Sequence, residues 1–519
     1  MNAQESEGFG RFRSLFCPVH KSELGLFLPL WLIFFFICFN YNVLRSAKDS
    51  LVVTAPSAGA EAIPFLKVWA ILPMAIVMTL FFTRLSNRFK MEKVFYIMMG
   101  LFLGFFILFS TVLYPLNDAL HPHAFADRLE NFFPEGLRGF VAVLRNWTFT
   151  TFYIMAELWG TTIMTVLFWG FANEILNVNT AKRFYVLILI GGNLSAICAG
   201  SISSLYSGLG KTWGAAYGMD PWHCSLLLIT GTIVISGVIV IGIFRWLHTR
   251  TLTHKEYLPT AEEASAPRIK MSMRKNFKYL ANSKYLLFIA MIVLTYNVCI
   301  NLTEVVWKDQ LHQMYVTDTN SFNAYMGKVT MWVGILATAI AIISSVLIRR
   351  MSWTFNAMIP PFIVLVAGIG FFSFLVFKDS MLGLAIAAFL GSTPYALGVF
   401  FGSVQQCFSR ASKYTIFDAT KELAFIPLSK ESKLKGKAAI DGVGSRLGKS
   451  GSAIIYQVLL MFLVTVHSTI PYVGIILLLV VGAWLLAVYA LGKKFNELTA
   501  EQKTVEAAEP IPVQQEATT

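Results

Sequence analysis

Glu157 stands in the run FYIMAELWGTTIMTVLFWGFAN, with apolar sequence on both sides. An ionisable side chain in such a run costs on the order of a few kcal/mol to bury, so it needs a partner or a purpose. Its short side chain cannot reach an interface from there. It reads either as half of a structural ion pair or as a cavity carboxylate that bonds a sugar or base, latches to a cation, or carries a proton. Three more places share the anomaly. Arg45, Lys48 and Asp49 close the first apolar run, Glu304 lies in INLTEVVWKDQL, and Arg446 and Lys449 lie one turn apart in VGSRLGKSGSAIIYQVL. Residues at that spacing project from one helix face. Asp441, a little over one turn before Arg446, is placed to compensate it. Arg45, Lys48 and Asp49 read either as a snorkelling membrane-edge cluster or as a phosphate site. Glu304 reads either as an edge residue or as an acidic counterpart of that cluster. Two cationic groups far apart in the chain, with a few carboxylates, suit a di- or triphosphate better than a neutral or cationic cargo.

Two local patterns imitate other chemistry. Gly448-Lys449-Ser450 looks like the end of a phosphate-binding loop, but that motif needs glycine where Val443 stands, and it needs a preceding strand. An ATPase is excluded on that ground. His121 and His123 near Asp118 lie in a polar loop without further ligands and read as solvated histidines, so no metal or other cofactor is expected. Cys17, Cys38, Cys198, Cys224, Cys299 and Cys407 have neither metal-site nor disulfide spacing.

The elements that must position these charges are membrane helices. Only 14% of the 519 residues are charged, against about a quarter in soluble proteins. Mean hydropathy is +0.62. Apolar runs of about twenty residues recur, each long enough to cross about 30 Å of hydrocarbon. The spacing predicts twelve spans, with cores at 25–44, 63–82, 94–113, 147–172, 184–205 and 225–247, then 285–302, 325–347, 354–377, 381–408, 438–466 and 473–491. Basic residues cluster in alternate loops: Arg11 to Lys21, Arg84 to Lys93, Lys182–Arg183, Arg245–Lys284, Arg349–Arg350, Arg410–Lys437 and Lys493–Lys494. The alternation places both termini in the cytoplasm. It also explains the +13 net charge through bilayer orientation, with no need for nucleic acid.

The expected organisation is a cytoplasmic segment 1–24, a first six-helix half 25–247, a linker 248–284, a second half 285–491 and a disordered tail 492–519. The segment from Pro115 to Gly139 reads as an external loop with a surface helix. The halves resemble each other: Lys48-Asp49-Ser50-Leu51 and Lys67-Val68 recur as Lys308-Asp309-Gln310-Leu311 and Lys328-Val329. The run from Gly191 to Ile197 likewise matches the run from Gly448 to Ile454. Duplicated halves of this kind predict a major-facilitator-like fold with its binding site between them. The short polar N-terminus, with no signal or transit pattern, predicts a bacterial inner membrane.

The stretches FNYNVLRSAKDSLVVTAPSAGAEAIPFLKVW, LRNWTFTTFYIMAELWGTTIMTVLFWGFANE, NLTEVVWKDQL, FDATKELAFIPL and KGKAAIDGVGSRLGKSG resemble the nucleotide transporters of obligate intracellular bacteria and plastids, the non-mitochondrial ATP/ADP translocases. The resemblance runs from about Phe9 to about Leu491. It implies twelve spans and a carrier, not an enzyme, exchanging host ATP for bacterial ADP plus phosphate or a related nucleotide traffic; the protein is separately expected to be a monomer in the lipid bilayer, with phosphate or protons as further partners. It also implies four central charges, which fall on Lys48, Glu157, Glu304 and Lys449. Lys48, Lys449, Arg45 and Arg446 would hold phosphates; Glu157, Glu304 and Asp441 would set specificity or coupling. Family exchangers usually read Arg-Asp-Thr-Lys-Asp where this chain has Arg45-Ser46-Ala47-Lys48-Asp49. A family Thr corresponds to Val306, and a family Gln pair to Tyr456-Gln457. These departures leave other ribonucleotides, a dinucleotide such as NAD, and proton coupling open as alternatives.

Overall fold

Hydrocarbon offers backbone N–H and C=O groups no water, so each apolar run must close its hydrogen bonds within itself as a helix. The computed structural model describes residues 19–176, 178–251, 283–316, 318–428, 432, 436–437, 440 and 445–508. Among these residues every regular element is helical.

Nine spanning helices run in order: α1 Leu24–Val53, α2 Ala62–Arg88, α3 Met91–Leu113, α4 Trp147–Ile175, α5 Arg183–Tyr217, α6 Pro221–Arg250, α7 Lys284–Met314, α8 Thr319–Ser344 and α9 Trp353–Phe377. α10 is a pair, Met381–Phe389 and Pro394–Ala424, bent by 82° at its break. α11 is the shorter helix Ser445–Leu463, apolar over Leu447–Leu463, and α12 covers Val466–Ala508, with its spanning part at Val466–Ala500. Ten of these helices are long enough to cross a membrane singly, or eleven with the bent pair taken as one span. The eleventh predicted core, 438–466, is thus represented by a shorter helix.

Helix starts follow the sequence. Asp220, Ser283, Asp318, Ser352, Ser380 and Thr393 each accept a hydrogen bond from a first-turn backbone N–H. Leu479, Leu486 and Phe462 face outward and exposed, as a lipid-facing surface requires.

α1–α6 and α7–α12 meet along two seams. On one, α5 and α8 approach so closely that a Cβ on Gly200 would sit 2.3 Å from the Gly327 carbonyl oxygen. A Cβ on Gly334 would likewise sit 2.8 Å from the Asn193 carbonyl oxygen. Only glycine permits this approach of two backbones. On the other, Gln457 of α11 donates to the Pro64 carbonyl of α2 at 2.9 Å. At the end opposite the chain termini the two sets of helices are tied by polar bonds. Thr54 meets Thr319 at 2.6 Å, Ser225 donates to Asn320 at 2.6 Å, and Lys211 pairs with Asp318 at 2.6 Å.

Three expectations change. The tenth span does not end at Phe408: its helix continues through Arg410 to Ala424. The last helix does not stop at Leu491 but continues to Ala508, so that stretch of the expected tail is ordered; residues 509–519 lie outside the described ones. His121 is not solvated. It is buried, with Nε2 2.6 Å from the Thr148 hydroxyl, because the 115–146 segment folds into short helices that pack onto the bundle.

Candidate functional site

Helical periodicity gathers the charges. On α1, Tyr41, Arg45 and Lys48 recur at intervals of four and three residues. On α7, Asn297, Asn301, Glu304 and Lys308 recur every three or four. Each set therefore lines one helix face. On α10, Arg410, Lys413, Tyr414, Phe417 and Lys421 do the same, and this is why that helix stays helical while charged: its polar face meets a cavity and not lipid. Three helices loosen into π-helical turns beside the cavity, at Leu66–Ile71, Gly160–Phe168 and Lys413–Phe417. Such turns are rare and concentrate at functional sites.

The cavity these faces enclose has a volume of about 470 Å³ and is walled by α1, α2 and α4 on one side and α7, α10 and α11 on the other. Among the described residues, Arg45, Lys48, Lys67, Arg410, Lys413, Lys421 and Lys449 line it, against Glu157, Glu304 and Asp418: seven cations to three carboxylates. At its closed end the charges form one connected network. Lys48 Nζ lies 3.3 Å from Glu157 Oε2 and 3.3 Å from Asp49 Oδ1, and 3.7 Å above the Tyr153 ring. Asp49 Oδ2 lies 2.7 Å from Lys308 Nζ, which lies 2.8 Å from Glu304 Oε1. Glu304 also faces Arg410 at 2.9 Å, Lys67 at 3.9 Å and Arg45 at 4.0 Å. Lys67 reaches Asn301 Oδ1 at 2.5 Å. The Asp49–Lys308, Arg45–Glu304 and Lys67–Glu304 pairs cross from α1 and α2 to α7. They tie the two sides of the cavity together.

Burial makes these contacts matter. The Asp49 and Lys308 side chains are 0% and 1% exposed, whereas Glu157 keeps 29%. A buried charge pair survives only with good geometry and several partners, which the network supplies. The carboxylates nearer the cavity, Glu157 and Glu304, are held by cations that a bound polyanion could take over.

Of the residues singled out in the sequence, Lys48, Glu157, Arg45, Glu304 and Lys449 all line this cavity. Lys449 is exposed there and, among the described residues, makes no ion pair within 4 Å. Arg446 lies in the α11 helix, but its side chain falls outside the described residues, and so does Asp441. Sequence reasoning missed Lys67, Lys308 and Arg410 as site residues. Lys67 and Lys308 were visible as the paired Lys-containing repeats of the two halves. Arg410, Lys413, Asp418 and Lys421 read from the sequence as loop residues, because the charges after Phe408 look like the end of a span.

The departures from the family pattern do not face the cavity. Ser46, Ala47 and Val306 are buried in helix packing, and Tyr456 is buried with its hydroxyl 2.9 Å from Thr469. Gln457 is taken up by Pro64 and by the Trp69 indole.

A helical bundle with a charged cavity between two sides defines a membrane transporter of the major-facilitator type. Its architecture is similar to the nucleoside transporter NupG, with a TM-score of 0.51 at 14% identity, covering 89% of this chain and 98% of that one. It is also similar to a D-xylose-proton symporter, with a TM-score of 0.52 at 14% identity, covering 90% and 97%. At that identity the likeness is one of fold. The chain belongs to the TLC ATP/ADP transporter family, whose model matches residues 2–495. It is 43% identical over 501 residues to ADP,ATP carrier protein 1 of Chlamydia pneumoniae, covering 95% of this chain and 96% of that one. It is 39% identical over 485 residues to the chloroplastic ADP,ATP carrier protein 1 of Arabidopsis thaliana, covering 93% and 76%.

Proposed function

We propose that this protein exchanges ATP for ADP by alternating access across the inner membrane of an intracellular bacterium, as a monomer with both termini in the cytoplasm. The observation that carries the reading is the cavity itself, where the described residues set seven cations against three carboxylates between the two sides of the bundle. Uncompensated cations in a low-dielectric site call for a polyanion, and the relatives named ADP,ATP carriers supply the class of polyanion.

Lys48, Arg45 and Lys449, with Arg446 on the same helix, are the phosphate-holding groups in this reading. Glu157 and Glu304, with Asp441, act as latches and specificity elements. The geometry supports exchange over one-way leak. The pairs that cross between the two sides, Arg45–Glu304 and Lys67–Glu304, must break before the closed end opens. Nucleotide phosphates offer the released cations replacement partners, whereas the empty carrier has none. Empty return is therefore slow, and loaded return in either direction is fast.

Replacing Lys449 with Gln removes an exposed cavity cation that, among the described residues, makes no ion pair. A charge-assisted hydrogen bond to phosphate is worth about 1.5–3 kcal/mol, so the expected loss of ATP uptake is about tenfold or more, with membrane insertion unchanged. Uptake into proteoliposomes, competed by unlabelled ATP, ADP, AMP and NAD, checks this. Wild-type rates in K449Q, or NAD competing as well as ATP, would argue against the assignment.

A further inference from the structure

The cavity holds more aromatic surface than its charges need, and the rings differ in what they already do. Tyr153 is 1% exposed and serves as the floor beneath Lys48. Tyr296 and Phe417 are each 5% exposed, with centroids 4.7 Å apart, and both pack edge-on against Trp484 at 5.8 Å. These three rings belong to the core. Tyr414 does not, and Tyr41 packs against the core while staying only partly buried. Tyr414 is 39% exposed and Tyr41 is partly exposed. Among the described residues neither ring packs on another ring and neither hydroxyl makes a hydrogen bond.

Their positions are matched. On α1, Tyr41 precedes Arg45 by four residues; on α10, Tyr414 follows Arg410 by four residues. The two helices run in opposite directions, so each tyrosine lies about one helical turn from its arginine, on the side of the chain termini. The two arginines converge on Glu304, at 4.0 Å and 2.9 Å. The two tyrosines therefore share the next layer, toward the open end. Tyr41 is held in place by α4: a Cβ on Gly160 would lie 2.8 Å from its Cε2, so the glycine leaves room for the ring edge. Tyr414 carries the Lys413 ammonium 4.7 Å from its ring centroid.

We infer that Tyr41 and Tyr414 form a nucleobase clamp, one tyrosine from each side of the cavity, with the phosphates directed past it to the arginines and the closed end. The inference rests on the nucleotide-transport reading and assigns the orientation of the cargo within it. Every base has a π face, so stacking of this kind binds bases without choosing among them. Base choice then lies with other groups. Because the rings come from opposite sides, the base itself helps draw those sides together.

The test uses the full-length protein in lipid nanodiscs and two probes, ATP and inorganic tripolyphosphate, which has the charge but no base. Stacking on an aromatic ring typically changes base affinity by about tenfold. Tyr41→Leu and Tyr414→Leu should each weaken ATP binding about tenfold and leave tripolyphosphate binding within about twofold. The Tyr→Phe variants should bind both probes like wild type. GTP should lose affinity in parallel with ATP. Retained ATP affinity in both leucine variants would overturn the clamp, and so would an equal loss for ATP and tripolyphosphate, which would place the tyrosines in packing or phosphate binding. A wild-type protein that binds neither probe would sink the nucleotide reading itself, and the clamp with it.

Discussion

Replacing Lys308 with Met should leave little folded protein to extract from the membrane. The Lys308 ammonium is 1% exposed and lies 2.7 Å from Asp49 and 2.8 Å from Glu304, so it joins α7 to α1 in the centre of the bundle. Without it, Asp49 stays fully buried with Lys48 as its remaining cation, at 3.3 Å, and Lys48 is shared with Glu157. Breaking a buried pair by removing one partner costs about 3–5 kcal/mol. That is a large fraction of the total stability of a typical protein, about 5–15 kcal/mol. Thermal stability of the detergent-solubilised protein, read by size-exclusion recovery after heating, should fall sharply for Lys308→Met. The double variant Asp49→Asn, Lys308→Met should recover much of the loss, since no unpaired buried carboxylate remains at Asp49. A single variant as stable as wild type would show that the pair does not hold the two sides together.

Glu304→Gln should have the opposite signature: a protein that binds nucleotide but turns over slowly. Glu304 is the common partner of Lys308, Arg410, Lys67 and Arg45, two of them from the other side of the cavity. Neutralising it removes the carboxylate that phosphate must displace, so nucleotide affinity should hold or rise. It also removes the charge that closes the empty site, leaving the surrounding cations to repel one another. That repulsion makes the closed end slower to form in each cycle, so the maximal exchange rate should fall while nucleotide affinity does not. Exchange rate and KM measured together in proteoliposomes decide the matter. A raised KM with an unchanged maximal rate would make Glu304 a simple binding residue.

Much of this was legible in the sequence because the membrane makes charges conspicuous. Glu157, Glu304, Lys48 and Lys449 stand out because they lie within or at the ends of apolar runs, and all four line the cavity. The helical fold followed from the same hydropathy. The partners were harder to see. Nothing local says that Asp49 reaches Lys308 and not only its neighbour Lys48, since that pairing depends on how α1 and α7 cross. Arg410 was hidden for a related reason. A polar stretch after an apolar run reads as a loop, yet α10 continues as a helix because one of its faces meets a charged cavity. The short-range family departures were legible as substitutions, but their burial away from the cavity was not.

Exchange is tested most directly by uptake of labelled ATP into intact cells expressing the protein, with and without internal ADP, in the presence and absence of an uncoupler. Nucleotide exchange predicts that internal ADP strongly stimulates uptake, that unlabelled ADP outside competes, and that the uncoupler leaves the stimulated rate largely intact. Uptake indifferent to internal ADP and abolished by the uncoupler would contradict exchange and make the protein a proton-driven importer.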